Sequence, residues 1–244
     1  MKECSKAILR RLHSSGYATR YFRGRGVDIG GAPDPLALYK SLFPLIEDVK
    51  TWDREDGDAQ FMQDVPDNHF DFVHSSHCLE HLDDCFEGLR NWFRILKPGG
   101  YLIVTVPDED LYEQGVFPST FNRDHRRTFT IFKPNSWSKT SVNVVELLQE
   151  LGPESHVIKI ELIDSAYRYE LPRFDQTLSP VSESAIEFIV RKRRPEEVAA
   201  AGRLPSQQQP PPSLRLHFNQ YRDDQKTLRT ANPAKPPFLN EAEL

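Results

Sequence analysis

Apolar positions in this chain fall into short continuous runs that alternate with stretches of helical period. GVDIG (26–30) is a buried strand that runs into a glycine turn. Asp34-Pro35 reads as an N-cap followed by proline at the first helical position, opening a helix over LALYKSLF (36–43). DVKTWD (48–53) and FDFVHSS (70–76) are two more strands, the second entered through the turn Pro66-Asp67-Asn68. Leu79, Leu82, Phe86, Leu89, Phe93 and Leu96 recur at spacings of three and four, which predicts the strongest helix of the chain. Lys97-Pro98-Gly99-Gly100 stops it, because proline and glycine end helices. YLIVTVP (101–107) is a fully buried strand, and NVVELLQELG (143–152) is a helix ending at Gly152. HVIKIELID (156–164) and SAIEFIVRK (184–192) are late strands with no clear helix between them, so they are expected to pair as an antiparallel hairpin.

Strands alternating with helices imply an α/β fold whose mostly parallel sheet is covered on both faces. Ligands of such sheets bind beyond the carboxyl ends of the strands. Three zones follow. Residues 1–25 are polar and basic, a helical lead-in; an amphipathic membrane-surface reading of residues 6–12 competes with a helix packed on the body, and packing is preferred. Residues 26–194 carry all the strong periodicity. Residues 195–244 are proline- and glutamine-rich, holding 8 of the 19 prolines, and are read as a disordered tail that cannot bury enough apolar surface to order itself.

Composition narrows the function classes. The chain has 244 residues and a net charge of -5, which disfavours nucleic acid as a partner. Its mean hydropathy is -0.57, and no run approaches the roughly 20 apolar residues of a membrane span. The start lacks the apolar stretch of a secretory signal, and Cys4, Cys78 and Cys85 form neither a CxxC pair nor a disulfide framework. A cytoplasmic location is therefore expected.

Four strand-end signals carry candidate chemistry. Asp28-Ile29-Gly30-Gly31-Ala32 is a turn at which a ligand can approach the backbone, or simply a tight strand-to-helix turn. It is not the GxGxxG of dinucleotide folds, which disfavours a nicotinamide. Asp53 closes the second strand, where a carboxylate can accept both ribose hydroxyls; it is otherwise a solvated loop charge beside Arg54, Glu55 and Asp56. Gly57-Asp58-Ala59-Gln60 follows too closely for an intervening helix, and Asp58 with its neighbouring N–H can read an adenine edge. Ser75-Ser76-His77-Cys78-Leu79-Glu80-His81-Leu82 stands at the mouth of the third strand, with Glu80 and His81 also readable as the start of the amphipathic helix. The spacing of His77 and His81 allows a zinc pair, but HExxH and a third ligand are lacking, which disfavours it. No metal is expected.

Taken in order, Val27 to Pro107 resembles the class I S-adenosylmethionine-dependent methyltransferases. DIGGAPDP, TWD, GDAQF, FDFVHSSHCLEHL and RILKPGGYLIVTVP stand where a small-molecule and glycan-associated branch reads D-x-G, an acidic strand end, GDA, FDxVxSxHxLEHL and RxLKPGGxLxxxVP. The Gly30–Ala32 turn departs from that family's GxGxG, and one helix after Asp53 is missing. The resemblance implies a doubly wound, mostly parallel seven-stranded sheet of Rossmann-like type with an antiparallel C-terminal hairpin. It implies S-adenosyl-L-methionine as cofactor. Asp28, Gly30, Gly31 and Ala32 would face its methionine moiety, Asp53 its ribose, Asp58 and Ala59 its adenine, with Ser76 and His77 lining the methyl-donor pocket.

The acceptor is read from the stretch 108–140, a roughly 30-residue insertion too long for an ordinary connection. Tyr112, Phe117, Phe121, Phe129, Phe132 and Trp137 give it aromatic mass, and Asn122, Asp124, His125, Arg126 and Arg127 offer polar groups. His125 with Asp124 is the first candidate general base and His77 the second; the alternative is a lid whose charges face water. Asp175-Gln176-Thr177 is a further segment able to approach the same mouth. LYEQ, FNRDH and SWS also resemble methyltransferases of polysaccharide and glycolipid biosynthesis, which implies O-methylation of a sugar hydroxyl. Nitrogen or carbon methylation of another small molecule, and a non-catalytic binding module, are the competing functions.

Overall fold

The computed structural model describes residues 3–202, and the expected tail beyond residue 202 lies outside the described residues. Helix α1 (Glu3–His13) leads through a wide helical turn at Tyr17–Tyr21 into the sheet. Strands β1 (Gly24–Ile29), β2 (Ile46–Trp52), β3 (Phe70–Ser76) and β4 (Leu96–Pro107) follow, with helix α2 (Cys85–Arg94) between β3 and β4. After short strands β5 (Thr128–Thr130) and β6 (Ser141–Asn143) come α3 (Val144–Gln149), β7 (Ser155–Ile163), β8 (Ala185–Lys192) and α4 (Pro195–Ala199).

The main sheet has six strands in the order β2-β1-β3-β4-β8-β7, and β5 and β6 form a separate parallel pair. The first four strands run parallel, while β8 is antiparallel to both β4 and β7. This is the doubly wound, mostly parallel sheet with its antiparallel hairpin, one strand short of the seven expected. Among the described residues no seventh strand joins it, and residues 53–69 form turns between β2 and β3.

Alternation along each strand sends side chains to two different cores. Val27, Ile29, Val73, Leu102 and Val104 pack with Leu89, Trp92 and Phe93 of α2 and Leu147 and Leu148 of α3. Phe72, Ile103 and Ile189 point the other way, against Tyr17, Phe22, Leu36 and Phe43. The lead-in is thus part of the body. Its amphipathic face buries Cys4, Ala7 and Arg11 against the protein, and an ion cluster ties it to the centre of the sheet. Arg10 Nη1 and Arg11 Nη2 reach Glu187 of β8 at 2.8 and 3.2 Å, and the Tyr17 hydroxyl donates to the same carboxylate. Burial pushes the Glu187 carboxyl up, but Arg11 and Arg10 outweigh it and hold it well below the ordinary range.

Local structure departs from the sequence pattern at two helix starts. The expected helix over 79–96 breaks: Leu79–His81 is a short 3-10 turn, and Asp84 starts α2 anew by accepting from the Phe86 and Glu87 N–H groups. A true N-cap at Asp84 satisfies orphan amides that a helix begun at Leu79 would leave open. Asp34 does not cap the following turn either. Its carboxylate accepts from Ser5 N at 2.7 Å and from the Tyr39 hydroxyl at 2.5 Å, while Leu36 N donates to Asp28. Among the described residues no helix is long and apolar enough to cross a membrane.

Candidate active site

The carboxyl ends of β1, β2 and β3 open into a cavity of about 620 Å³. One wall is the glycine turn. Gly30 has φ +72°, a conformation L side chains rarely adopt, and a Cβ there would strike Cys78 at 2.7 Å. A Cβ on Gly31 would fall 2.5 Å from Asp28 Oδ2. Asp28 is the reason the turn holds this shape: its Oδ2 accepts from Leu36 N at 2.7 Å and its Oδ1 lies 2.6 Å from His74 Nδ1. His74 is fully buried, and burial first of all, with Arg11 adding to it, keeps its pKa below the ordinary value despite the Asp28 carboxylate. Burial likewise pushes the Cys78 thiol up to about 12, so it packs against the turn as a thiol.

Asp53 stands at the end of β2, accepting from Arg54 N at 2.8 Å and Ala32 N at 3.2 Å. Asp58 and Ala59 line the same cavity, as do Gly31, Ala32, Ser76 and His77. All nine residues expected at the cofactor therefore border one space, although the motifs that carry them are separated by up to about fifty residues of chain.

The rest of the lining includes a polar group: Glu3, His77, His81, Asn122 and Asp124. His77 is held at φ +55°, an uncommon and strained conformation for a residue with a side chain, of the kind that collects at functional sites. Burial opposes its protonation most, yet the carboxylates of Glu3 and Glu80 together raise its pKa above the ordinary value.

The expected His125–Asp124 pair is not formed. His125 is buried and absent from the cavity lining, and its Nδ1 lies 2.8 Å from Glu113 Oε1. Asp124 contributes its backbone carbonyl to His81 Nδ1 at 3.1 Å. Neighbours in sequence need not face each other, and here the turn at Asn122–His125 points the two side chains apart. The basic residues of the insertion are also engaged elsewhere: Arg126 pairs with the Asp83 carboxylate, and Arg127 donates to its backbone carbonyl. Asp175 caps its own turn through Thr177 and does not border the cavity.

Residues whose part the sequence reading missed complete the acceptor side. Glu3 arrives from α1, and Glu80 is fully buried between Leu79 and Leu82 with His81 beside it. Glu80 stands in the Ser75–Leu82 signal, but its burial and its role behind the cavity are not legible there. Glu113 and Glu109 lie inside the insertion, which Glu109 organises: Ser141 Oγ, Ser136 Oγ, Lys133 Nζ and Thr128 Oγ1 donate to its carboxylate at 2.6, 2.7, 2.9 and 3.0 Å.

The chain belongs to the methyltransferase-domain family, whose pattern it matches over residues 10–190. It is a methyltransferase. Among curated proteins it is similar to the ubiquinone/menaquinone biosynthesis C-methyltransferase UbiE of Vibrio cholerae, 51% identical over 39 residues. That stretch covers 16% of this chain and 15% of the relative. Similar solved structures include a putative methyltransferase of Haloferax volcanii in complex with its Trm112 activator, 14% identical over 78% of this chain and 90% of that one, TM-score 0.48. Another is a SAM-dependent methyltransferase from Archaeoglobus fulgidus, 19% identical over 79% and 95%, TM-score 0.46.

The donor wall fits S-adenosylmethionine. Cys78 and Asp28 pack so closely on Gly30 and Gly31 that the turn admits no side chain there, the turn borders the cavity, and Asp53 presents a carboxylate at a second strand end on the same cavity.

Proposed function

We propose that this methyltransferase moves the methyl group of S-adenosylmethionine to a hydroxyl of a small polar acceptor, a sugar or glycan precursor. The observation that carries the reading is the polar lining that His77, His81, Asn122 and Asp124 give to the cavity bordered by the donor turn. A hydroxyl is not ionised near neutrality, so its methylation needs a group to take the proton. His77 and His81 border the cavity and are the groups within reach; His125, held by Glu113, supports them from behind.

On the donor side Asp53 holds the ribose, Asp58 and Ala59 flank the adenine, and the Gly30–Ala32 backbone lies along the methionine. Asp28 keeps that turn open, since both its carboxylate oxygens are already engaged. Bound there, the sulfonium supplies an activated methyl group. The residues around it hold donor and acceptor in line, a proximity effect worth up to roughly 7–11 kcal/mol in ideal cases.

A second reading, transfer to carbon, is favoured by the short match to the C-methyltransferase UbiE. Incubation with methyl-labelled S-adenosylmethionine and a panel of sugars, nucleotide sugars and quinols separates the two. Label in an O-methyl ether of a sugar supports the first reading, and label on a quinol ring carbon supports the second. Failure to bind S-adenosylmethionine in a calorimeter sinks both.

A further inference from the structure

Behind the cavity wall lies a buried group of side chains that the donor site does not use. Glu80 has no solvent exposure, and neither of its carboxylate oxygens has a hydrogen-bond partner. A buried carboxylate left without partners is costly, unless something positive compensates it. Three imidazoles face it: His77 Nδ1 lies 3.4 Å from Glu80 Oε1, and His81 Nε2 and His125 Nε2 each lie 3.9 Å from the same atom. The last two rings are fixed from the far side, His125 through Nδ1 by the Glu113 carboxylate at 2.8 Å and His81 through Nδ1 by the Asp124 carbonyl at 3.1 Å. With Nδ1 carrying the proton in each ring, both Nε2 atoms present lone pairs toward Glu80, and His125 Nε2 is itself buried without a partner. His77 offers its charge to Oε1 from 3.4 Å, outside a normal hydrogen bond, and leaves the two Nε2 lone pairs facing the carboxylate unsatisfied. A cation satisfies them.

We propose that Glu80, His81 and His125 bind a divalent transition-metal cation, with zinc the best match to the donor set, through Oε1 and the two Nε2 atoms. The three ligand atoms lie within 4.8 Å of one another. Bonds of about 2.0–2.2 Å call for closing by roughly an ångström, a rotamer adjustment. The arrangement carries the outer shell that metal-bound histidines ordinarily have, a carboxylate on one ring and a backbone carbonyl on the other. Two histidines and one carboxylate leave at least one position free, as catalytic rather than structural centres do. His81 borders the cavity, so the free position belongs to the acceptor side.

Binding of the cation stands independently of what the acceptor is. Its use rests on the hydroxyl-acceptor reading: the acceptor oxygen takes the free position, the cation lowers its pKa, and His77 accepts the proton as the oxygen takes the methyl and the sulfonium becomes a thioether. The sequence offered no route to this site, since His125 lies 44 residues from His81 and the i,i+4 pair His77 and His81 is not the ligand pair.

The test uses the untagged full-length protein, stripped with chelator and titrated with Zn²⁺ by calorimetry and with Co²⁺ by visible absorption. One equivalent is expected to bind, with Co²⁺ bands of a low-coordinate nitrogen–oxygen site. Glu80→Gln and His81→Ala are each expected to weaken the affinity at least 100-fold. Glu113→Gln, which touches no cation, should weaken it by roughly 10–100-fold. His69→Gln, at the exposed opposite end of β3, should leave it unchanged. Titration with S-adenosylmethionine shows that each variant is folded and keeps its donor site. If the stripped protein takes up no cation at millimolar concentration, or if Glu80→Gln and His81→Ala bind like the parent, the proposal fails and the cluster is a proton-sharing network centred on His77. Either result leaves the donor titration and the labelled-methyl assay to judge the function separately.

Discussion

The two walls of the cavity are built by different means. The donor wall is backbone: a glycine turn and three strand ends, each supplied by a contiguous motif and fixed by the parallel register of β1, β2 and β3. The acceptor wall is side chain: Glu3 from α1, His77 and His81 after β3, and Asn122 and Asp124 from the insertion, with Glu80, His125 and Glu113 buried behind them. A backbone wall tolerates drift at most positions provided the sheet forms. A side-chain wall depends on each member, and on groups such as Glu109 that touch no ligand at all.

The sharpest way to break this contrast is at His81. If the acceptor wall does the proton and oxygen chemistry, His81→Ala should lower turnover by ~10²–10⁴ on a verified acceptor while S-adenosylmethionine affinity stays nearly intact. An unchanged turnover, or a loss of donor affinity of the same size, would show that the walls are not separable in this way.

The next effect concerns how the insertion is held. Glu109 is fully buried and accepts from three hydroxyls and Lys133. Glu109→Ala leaves these donors without their common acceptor and should cost about 2–4 kcal/mol of stability, with a lower Tm. Donor affinity should survive wherever the protein remains folded, because β1–β3 do not lean on this carboxylate. Urea unfolding beside a donor titration reads both quantities on one variant.

Asp108, the first residue of the insertion, offers a pH handle on the same region. Burial foremost, with Asp110 adding to it, raises its pKa from 3.8 to about 6, against the opposing hydrogen bonds from the Leu111 and Asp110 N–H groups. A carboxyl whose folded pKa is raised binds its proton more tightly folded than unfolded. Its contribution to stability is therefore fully present below about pH 4 and is lost as pH rises through about 6. The shift corresponds to roughly 2–3 kcal/mol. Asp108→Asn should remove this component, so the stability difference between variant and parent should move in the variant's favour between pH 4 and pH 7. Urea titrations at both ends of that window test it, and a difference independent of pH would remove Asp108 as the source.

At the donor wall the expected effect is of similar or smaller size. Asp53→Ala removes charge-assisted hydrogen bonds to the ribose and should weaken S-adenosylmethionine by ~1.5–3 kcal/mol, or roughly 10- to 150-fold. Titration of the folded variant decides it, and unchanged affinity would move the adenosine site elsewhere.

The same contrast explains what was legible in the residues. Strand runs ending in glycine or aspartate disclose β1, β2 and β3 and the cavity above them, because there local pattern and ligand contact coincide. LKPGG and VP frame β4 in the same way, although the strand extends back to Leu96. What stayed hidden depends on long-range contact. Asp34 is drawn off its expected cap role by Ser5 and Tyr39, and Asp84 takes one that the apolar spacing hid. The partner of His125 is a glutamate twelve positions earlier, placed there by the wide turn at Glu109–Glu113. The seventh strand was expected from resemblance, whereas the short stretch after Asp53 already argued against it.

The smallest effect belongs at the far end of the sheet from both walls. Residues 195–199, assigned by composition to the tail, form α4, whose Glu197 carboxylate accepts from both terminal nitrogens of Arg191 at 2.9 Å. Arg191 pairs with Tyr101 near the amino end of β4, opposite the cavity. A partly exposed ion pair of this kind is worth about 1 kcal/mol or less, even with bidentate geometry. Two shortened chains isolate it, one ending after Gly202 and one after Arg194. The first should match the full chain in Tm and donor affinity. The second should lose no more than about 1 kcal/mol, read as a small drop in Tm, with donor affinity unchanged. If the cut after Arg194 instead weakens S-adenosylmethionine, the amino end of the sheet is coupled to the donor wall, and the separation drawn between backbone wall and side-chain wall is too simple.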